Sequence, residues 1–167
     1  IGPKNKSFKC DLSNDAQERL KTSNNVIKTW KSLEQFAPYI KDIVNACVDK
    51  SLLIEKNSEG IEEKMLTFQR PIKGEVYWGR TFEEQFIIEN IDQDIINQSL
   101  ALKEAANKTS IENILDADNS FNKAILKANV FEVVKKIDKT NFALDLLAIN
   151  DWIVPNYIKE GFLWLEQ

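Results

Sequence analysis

At 167 residues the chain is long enough for one domain with a real core, and 43% hydrophobic residues is ordinary for a globular protein. A net charge of −4 argues against passive DNA coating, because dedicated nucleic-acid-binding domains are basic. It leaves room for a nuclease, whose metal ions are held by acidic clusters.

Histidine is absent, and the cysteines are Cys10 and Cys47 alone. That removes imidazole triads and histidine metal ligands, and supports neither a zinc site nor a disulfide framework. Any metal must be hard and oxygen-held, so Mg²⁺, Mn²⁺ or Ca²⁺. No run approaches the roughly 20 apolar residues of a membrane span. The N-terminus is polar and lysine-bearing, unlike a signal peptide. No membrane association and a cytoplasmic location are expected. The first residue is Ile1, so a piece of a longer chain is expected as well.

Residues 1 to 21 read as loop, with a short helix near Asp15 to Leu20. Thr22-Ser23-Asn24 gathers cap and turn formers ahead of a helix carrying Val26, Ile27 and Trp30 on one face. Ser32-Leu33-Glu34-Gln35 fits a capping box, complicated by Pro38. Tyr39, Ile40, Ile43, Val44, Cys47 and Val48 then keep a helical stripe. Lys56 to Glu63, with Gly60, reads as a loop or hairpin turn. Met65 to Arg70 looks extended and is closed by Pro71. Lys73-Gly74 is a turn, and Val76-Tyr77-Trp78 a second short strand.

Thr81-Phe82-Glu83-Glu84 is a second capping box, in which Glu84 reaches back to the Thr81 amide. Phe82, Phe86 and Ile87 give the helix an apolar face. Glu83 lies in the first turn, where the helix dipole favours an anion. Spacing alone leaves two readings open: a solvated first-turn acid, or a carboxylate at a strand-to-helix step, a common place for chemistry in α/β proteins. Beyond it, helical stripes run over Phe86 to Ile91, Ile95 to Ala106, Ile111 to Leu115, Phe121 to Val134 and Phe142 to Ile149, with cap formers at Thr109, Ser120 and Thr140. Pro155 opens a last helix carrying Ile158, Phe162 and Leu165. Short strands before a long helical stretch fit a mixed α/β domain.

Asp92-Gln93-Asp94 and Asp116-Ala117-Asp118 match D-x-D, but residues two apart on a helix do not face each other. Asp92 and Asp94 read as early-turn acids and Asp118 as a cap. Lys135 and Lys136 offset a helix C-terminal dipole, which leaves Lys139 less well explained. Trp152 and Trp164 indicate a well-packed C-terminal end, or else a partner surface.

Several segments in order carry a family likeness. Thr22-Ser23-Asn24, Arg80-Thr81-Phe82-Glu83, Lys139 through Phe142-Ala143, and Asp151-Trp152-Ile153-Val154-Pro155-Asn156-Tyr157-Ile158-Lys159-Glu160-Gly161 together resemble the TOPRIM nuclease half of OLD-family ATP-dependent endonucleases, including anti-phage nucleases of the Gabija kind. The resemblance implies a partial TOPRIM (Rossmann-like) α/β domain with a few short strands and a mostly helical C-terminal half. Residues 1–90 would be the C-terminal portion of the TOPRIM core, 91–137 a helical insertion, and 138–167 TOPRIM-associated helices.

By the same resemblance, Glu83 matches a catalytic glutamate that helps hold Mg²⁺ or Mn²⁺, and Lys139 a lysine that contacts the scissile phosphate. Ile1-Gly2-Pro3 looks like sequence that follows the family's D-x-D strand, so the first-strand glutamate and that aspartate pair would precede Ile1. ATP would act only through an ATPase half that this chain lacks. Implied partners are double-stranded DNA, the rest of the nuclease/ATPase chain, and a second copy or a defence-system partner. The 167 residues alone would not cleave DNA. The competing expectations are a helical protein-interaction module, in which Glu83 is only structural, and a non-nuclease TOPRIM-like regulator.

Overall fold

The computed structural model describes residues 10–11, 21–22, 24–71 and 77–167. The helix expected near Asp15 to Leu20, the Lys73-Gly74 turn, Val76, Ser23 and the Ile1-Gly2-Pro3 opening lie outside the described residues. In chain order the elements are β1 (Cys10–Asp11), α1 (Asn25–Thr29), α2 (Ile40–Ala46), a 3-10 turn (Lys50–Leu53), β2 (Ile54–Lys56), β3 (Glu62–Met65), β4 (Tyr77–Trp78), α3 (Phe82–Glu89), α4 (Asp94–Gln98), α5 (Leu100–Asn107), α6 (Lys123–Val134), α7 (Lys139–Ala148) and α8 (Asn156–Leu165). Mixed α and β content is as expected. Among the described residues no sheet exceeds two strands.

These elements fall into two compact units, Cys10–Tyr77 with Asn156–Gln167, and Trp78–Pro155. In the first unit, the Asn24 side chain accepts from the amides of Val26 and Ile27 and starts α1. Ile27 and Trp30 are buried, but Val26 is exposed. The capping box expected at Ser32 does not form. Residues 31–38 are turns, and α2 begins only after Pro38, because proline is poorly tolerated inside a helix. Of the α2 stripe, Ile43, Val44 and Cys47 are buried while Val48 is 86% exposed. Burial pushes the Cys47 thiol up to about 11, against a smaller opposing effect of Arg70, as befits an inert core cysteine.

The Lys56 to Glu63 segment is a hairpin turn. β2 pairs antiparallel with β3, Ile54 opposite Met65, around Gly60 at φ 81°. The extended segment therefore sits earlier than expected, ending at Met65, and residues 66–70 are irregular. On α8, Glu160 holds Lys50 at 3.0 Å and also pairs with Arg70. Trp164 donates to Glu62 at 2.9 Å. No residue of α8 is buried, so the well-packed C-terminal end expected from Trp152 and Trp164 does not extend to this helix.

The second unit packs α3, α5, α6 and α7 around a core centred on Phe86, Ile87, Leu102, Leu126, Val133 and Phe142. Phe86 meets Phe142 edge-on at 5.7 Å and Trp152 at 5.5 Å. The Ile95 to Ala106 stripe is broken at Ser99, whose extended backbone ends α4 and whose hydroxyl caps α5. Ile111 to Leu115 is not a helix. A tight turn over Asp116–Asn119 brings Leu115 opposite Phe121, with Asn119 at φ 63°. Asp118 caps that turn rather than a helix, accepting from the amide and hydroxyl of Ser120. The true caps of α6 and α7 are Asn122 and Asp138, each two residues from the expected Ser120 and Thr140.

Candidate active site

The strand-to-helix step is built by close backbone approach. A Cβ on Gly79 would lie 2.1 Å from the Gln85 backbone nitrogen, so only glycine fits beside the first turn of α3. The Gly79 amide donates to the Gln85 side chain at 2.7 Å. Thr81 caps α3 by accepting from the Glu84 amide at 3.3 Å. The reciprocal half of the capping box differs from expectation by one residue. The Glu84 carboxylate accepts from the Arg80 amide at 2.9 Å, not from the amide of Thr81. It also receives the Arg80 guanidinium through Nε at 3.2 Å and Nη2 at 2.7 Å. Glu84 therefore has a structural task.

Glu83 has a different environment. Its side chain is only 10% exposed, and Oε1 lies 3.0 Å from Nζ of Lys139, whose side chain is 67% exposed. Burial is the largest single influence on Glu83 and opposes its ionisation. Hydrogen bonds from its own amide, Lys139 and the Thr81 hydroxyl, with the Lys139 charge, outweigh it together and hold the carboxyl below its usual value. Lys139 opens α7, after the Asp138 cap. A cation there opposes the helix dipole, so helix electrostatics do not explain the lysine. Its partner Glu83 does.

The two residues singled out by resemblance are thus in contact, although they come from different helices. The D-x-D motifs are not part of this arrangement. Asp92 pairs with Lys123 at 3.0 Å and is well exposed, and Asp94 is the first residue of α4. Among the described residues no group of three or more acidic or thiol side chains is gathered to hold a metal ion. Glu83 is an ionised hard oxygen donor, which suits Mg²⁺ or Mn²⁺, and it is a single ligand of the several such an ion takes.

Two neighbours carry signals that sequence reading left unassigned. Arg80 stacks on Phe131, 3.8 Å from the ring centroid, and Lys135 Nζ lies 4.0 Å from the same centroid. The four-residue spacing of Arg80 and Glu84 was the available signal for their pairing. Asp145 of α7 accepts from the Ser99 hydroxyl at 2.7 Å and the Ala101 amide at 2.9 Å. It thereby fixes the helix that carries Lys139 against the start of α5. That contact is non-local and leaves no spacing to read.

The chain is similar to Endonuclease GajA of Bacillus cereus (strain HuB5-5). The two are 31% identical over 125 residues, a match spanning 70% of this chain and 18% of that protein. The chain therefore spans less than a fifth of the length of the curated relative it matches. No family model matches the chain, and no solved structure does. The similarity relates the chain to a nuclease. No helix among the described residues is long and apolar enough to cross a membrane.

Proposed function

We propose that this chain is part of a metal-dependent DNA endonuclease of the OLD family, contributing the C-terminal part of a TOPRIM nuclease domain in a Gabija-like anti-phage system. Similarity to Endonuclease GajA supports the nuclease class. The observation that carries the site is the 3.0 Å pairing of Glu83 with Lys139. On this reading residues 1–90 belong to the TOPRIM core, 91–137 to a helical insertion and 138–167 to associated helices. The substrate is double-stranded DNA, the site lies in the cytoplasm, and ATP acts through a separate ATPase half. Assembly involves the rest of that longer chain, and a second copy or a defence partner.

Glu83 would be a ligand of Mg²⁺ or Mn²⁺, with its other carboxylate ligands supplied from outside these 167 residues. A bound ion would supply charge neutralisation and a water of lowered pKa. Glu83 suits its role because its carboxyl is held below its usual value and lies, largely buried, in the first turn of α3 beside the Lys139 ammonium. Lys139 would orient the scissile phosphate and offset its developing charge. An ammonium has three donors, and among the described residues the ion-pair partner of this one is Glu83. Its exposure leaves the remaining donors open to a phosphate oxygen.

The test is cleavage of duplex DNA by the full-length protein with Mg²⁺ or Mn²⁺. Glu83→Ala and Lys139→Ala are each expected to lower the rate by about 100-fold or more. Unchanged cleavage in both variants refutes the site. The 167-residue chain alone is expected not to cut. A second reading, a protein-interaction module without catalysis, draws on α8, where Phe162, Leu163 and Leu165 are exposed, Leu165 by 71%. Loss of cleavage in Glu83→Ala with an intact fold decides against it.

A further inference from the structure

We infer that the turn joining α6 to α7, together with Arg80, is a contact track for the phosphate backbone of a DNA duplex. The identity of the polymer rests on the nuclease reading, and the track itself rests on charge and packing. The turn reads Lys135-Lys136-Ile137-Asp138-Lys139. Ile137 packs against the core of the unit and pins the turn, while Lys135, Lys136 and Lys139 are all exposed. Arg80 joins this row because its guanidinium and the Lys135 ammonium share the Phe131 ring.

Most of these cations have local work that must be weighed against a ligand role. Arg80 holds Glu84, Lys135 lies 3.4 Å from Glu132, and Lys139 holds Glu83. Asp138 spends its carboxylate on the Asn141 amide. The patch is therefore close to neutral and will not steer DNA over long distances. It offers positioned donors at short range, which suits register-setting phosphate contacts.

Lys136 decides between the two roles. It is exposed and has no ion-pair partner among the described residues, so only the C-terminal dipole of α6, a weak and diffuse attraction at an exposed site, bears on its charge. In a chain of net charge −4, an unpaired lysine between two paired ones, on a pinned turn next to Glu83, is where an external anion is best accommodated.

The experiment measures binding of the full-length protein to a fluorescent 30-base-pair duplex (the length is a probe choice of about three helical turns) by anisotropy in EDTA, across a salt series. Wild type is expected to bind with a salt dependence reflecting about three to four phosphate contacts. Lys136→Ala should weaken binding roughly five- to tenfold and lower the log–log salt slope by about 0.9, with Lys136→Arg restoring both. Lys135→Gln/Lys136→Gln should lose about two contacts with an unchanged melting temperature. Wild-type affinity and slope in that double variant, or no duplex binding by wild type, would overturn the track. Cleavage with Mg²⁺ is scored separately. Cutting by a protein whose track variants bind normally leaves the nuclease reading standing alone. Loss of binding in the track variants, with Glu83→Ala still cutting, does the reverse.

Discussion

Lys139, the first residue of α7, reaches back to Glu83 in the first turn of α3, Nζ to Oε1 at 3.0 Å. The anion sits at a helix end that favours it and the cation at one that does not. Removing Lys139 thus loses an ion pair but relieves a dipole conflict of about 0.3–1 kcal/mol. Lys139→Met is expected to change stability by less than about 0.5 kcal/mol. Glu83→Gln should cost more, because it removes the partner charge and also the favourable placement of an anion in the first turn of α3, with no dipole conflict relieved in return. A double-mutant cycle by urea denaturation should return a coupling of about 0.5–1 kcal/mol, modest because the lysine is largely exposed. A coupling near zero would show that the pair is not populated in solution.

The same carboxylate sets a pH dependence. Its folded value lies below its unfolded value, so the unfolded chain binds more protons through the window between them. Stability then rises with pH in that window. The contribution is complete above the unfolded value, about 4.5, and is lost as pH falls through the folded value. Wild type and Glu83→Gln should therefore differ most at neutral pH and converge as the solution is acidified below that point. A difference that is constant from neutral to acid pH would contradict the assignment.

Gly79 makes the strand-to-helix step possible, since a Cβ would come within 2.1 Å of the Gln85 nitrogen and 2.6 Å of its Cα. Both atoms belong to helix backbone and cannot rotate away. Gly79→Ala should destabilise by about 1–3 kcal/mol or more and shift α3 relative to the preceding loop. Because α3 carries Glu83, cleavage by the full-length protein should fall with it. An alanine variant with wild-type melting and activity would sink this account.

Local features were legible in the sequence because they depend on near neighbours. The Thr81 cap, the Phe82–Phe86–Ile87 face and the Pro155 start to α8 all rest on residues within about one helical turn. The pattern is ambiguous where several cap formers compete. Ser120 and Thr140 were the expected caps, but Asn122 and Asp138 do the work. The break at Ser99 was hidden because Leu100 to Ala106 continues the apolar pattern, while the decisive contact comes from Asp145 in another helix. Glu83 and Lys139 lie on different helices, so periodicity could not pair them. Only the ordered resemblance nominated both, and their contact is a tertiary fact.

Asn90 ties the Trp152 segment to the end of α3. Its amide donates to the carbonyls of Phe86 at 3.0 Å and Ile153 at 2.9 Å, and its carbonyl accepts from the Ile153 amide at 2.6 Å. The side chain is fully buried, so these bonds are made in a low-dielectric setting. Asn90→Ala strands the Ile153 amide and carbonyl away from their partner, at an expected cost of about 2–4 kcal/mol. Asn90→Asp keeps the shape and the acceptor, but it buries a charge and removes both donors. It should be at least as damaging at neutral pH and partly recover as pH falls and the acid protonates. Urea denaturation of both variants, with hydrogen exchange at the Ile153 amide, reads the effect directly. Slow exchange at Ile153 in Asn90→Ala would mean that Trp152, packed with its ring tilted 5.5 Å from Phe86, holds this segment without Asn90.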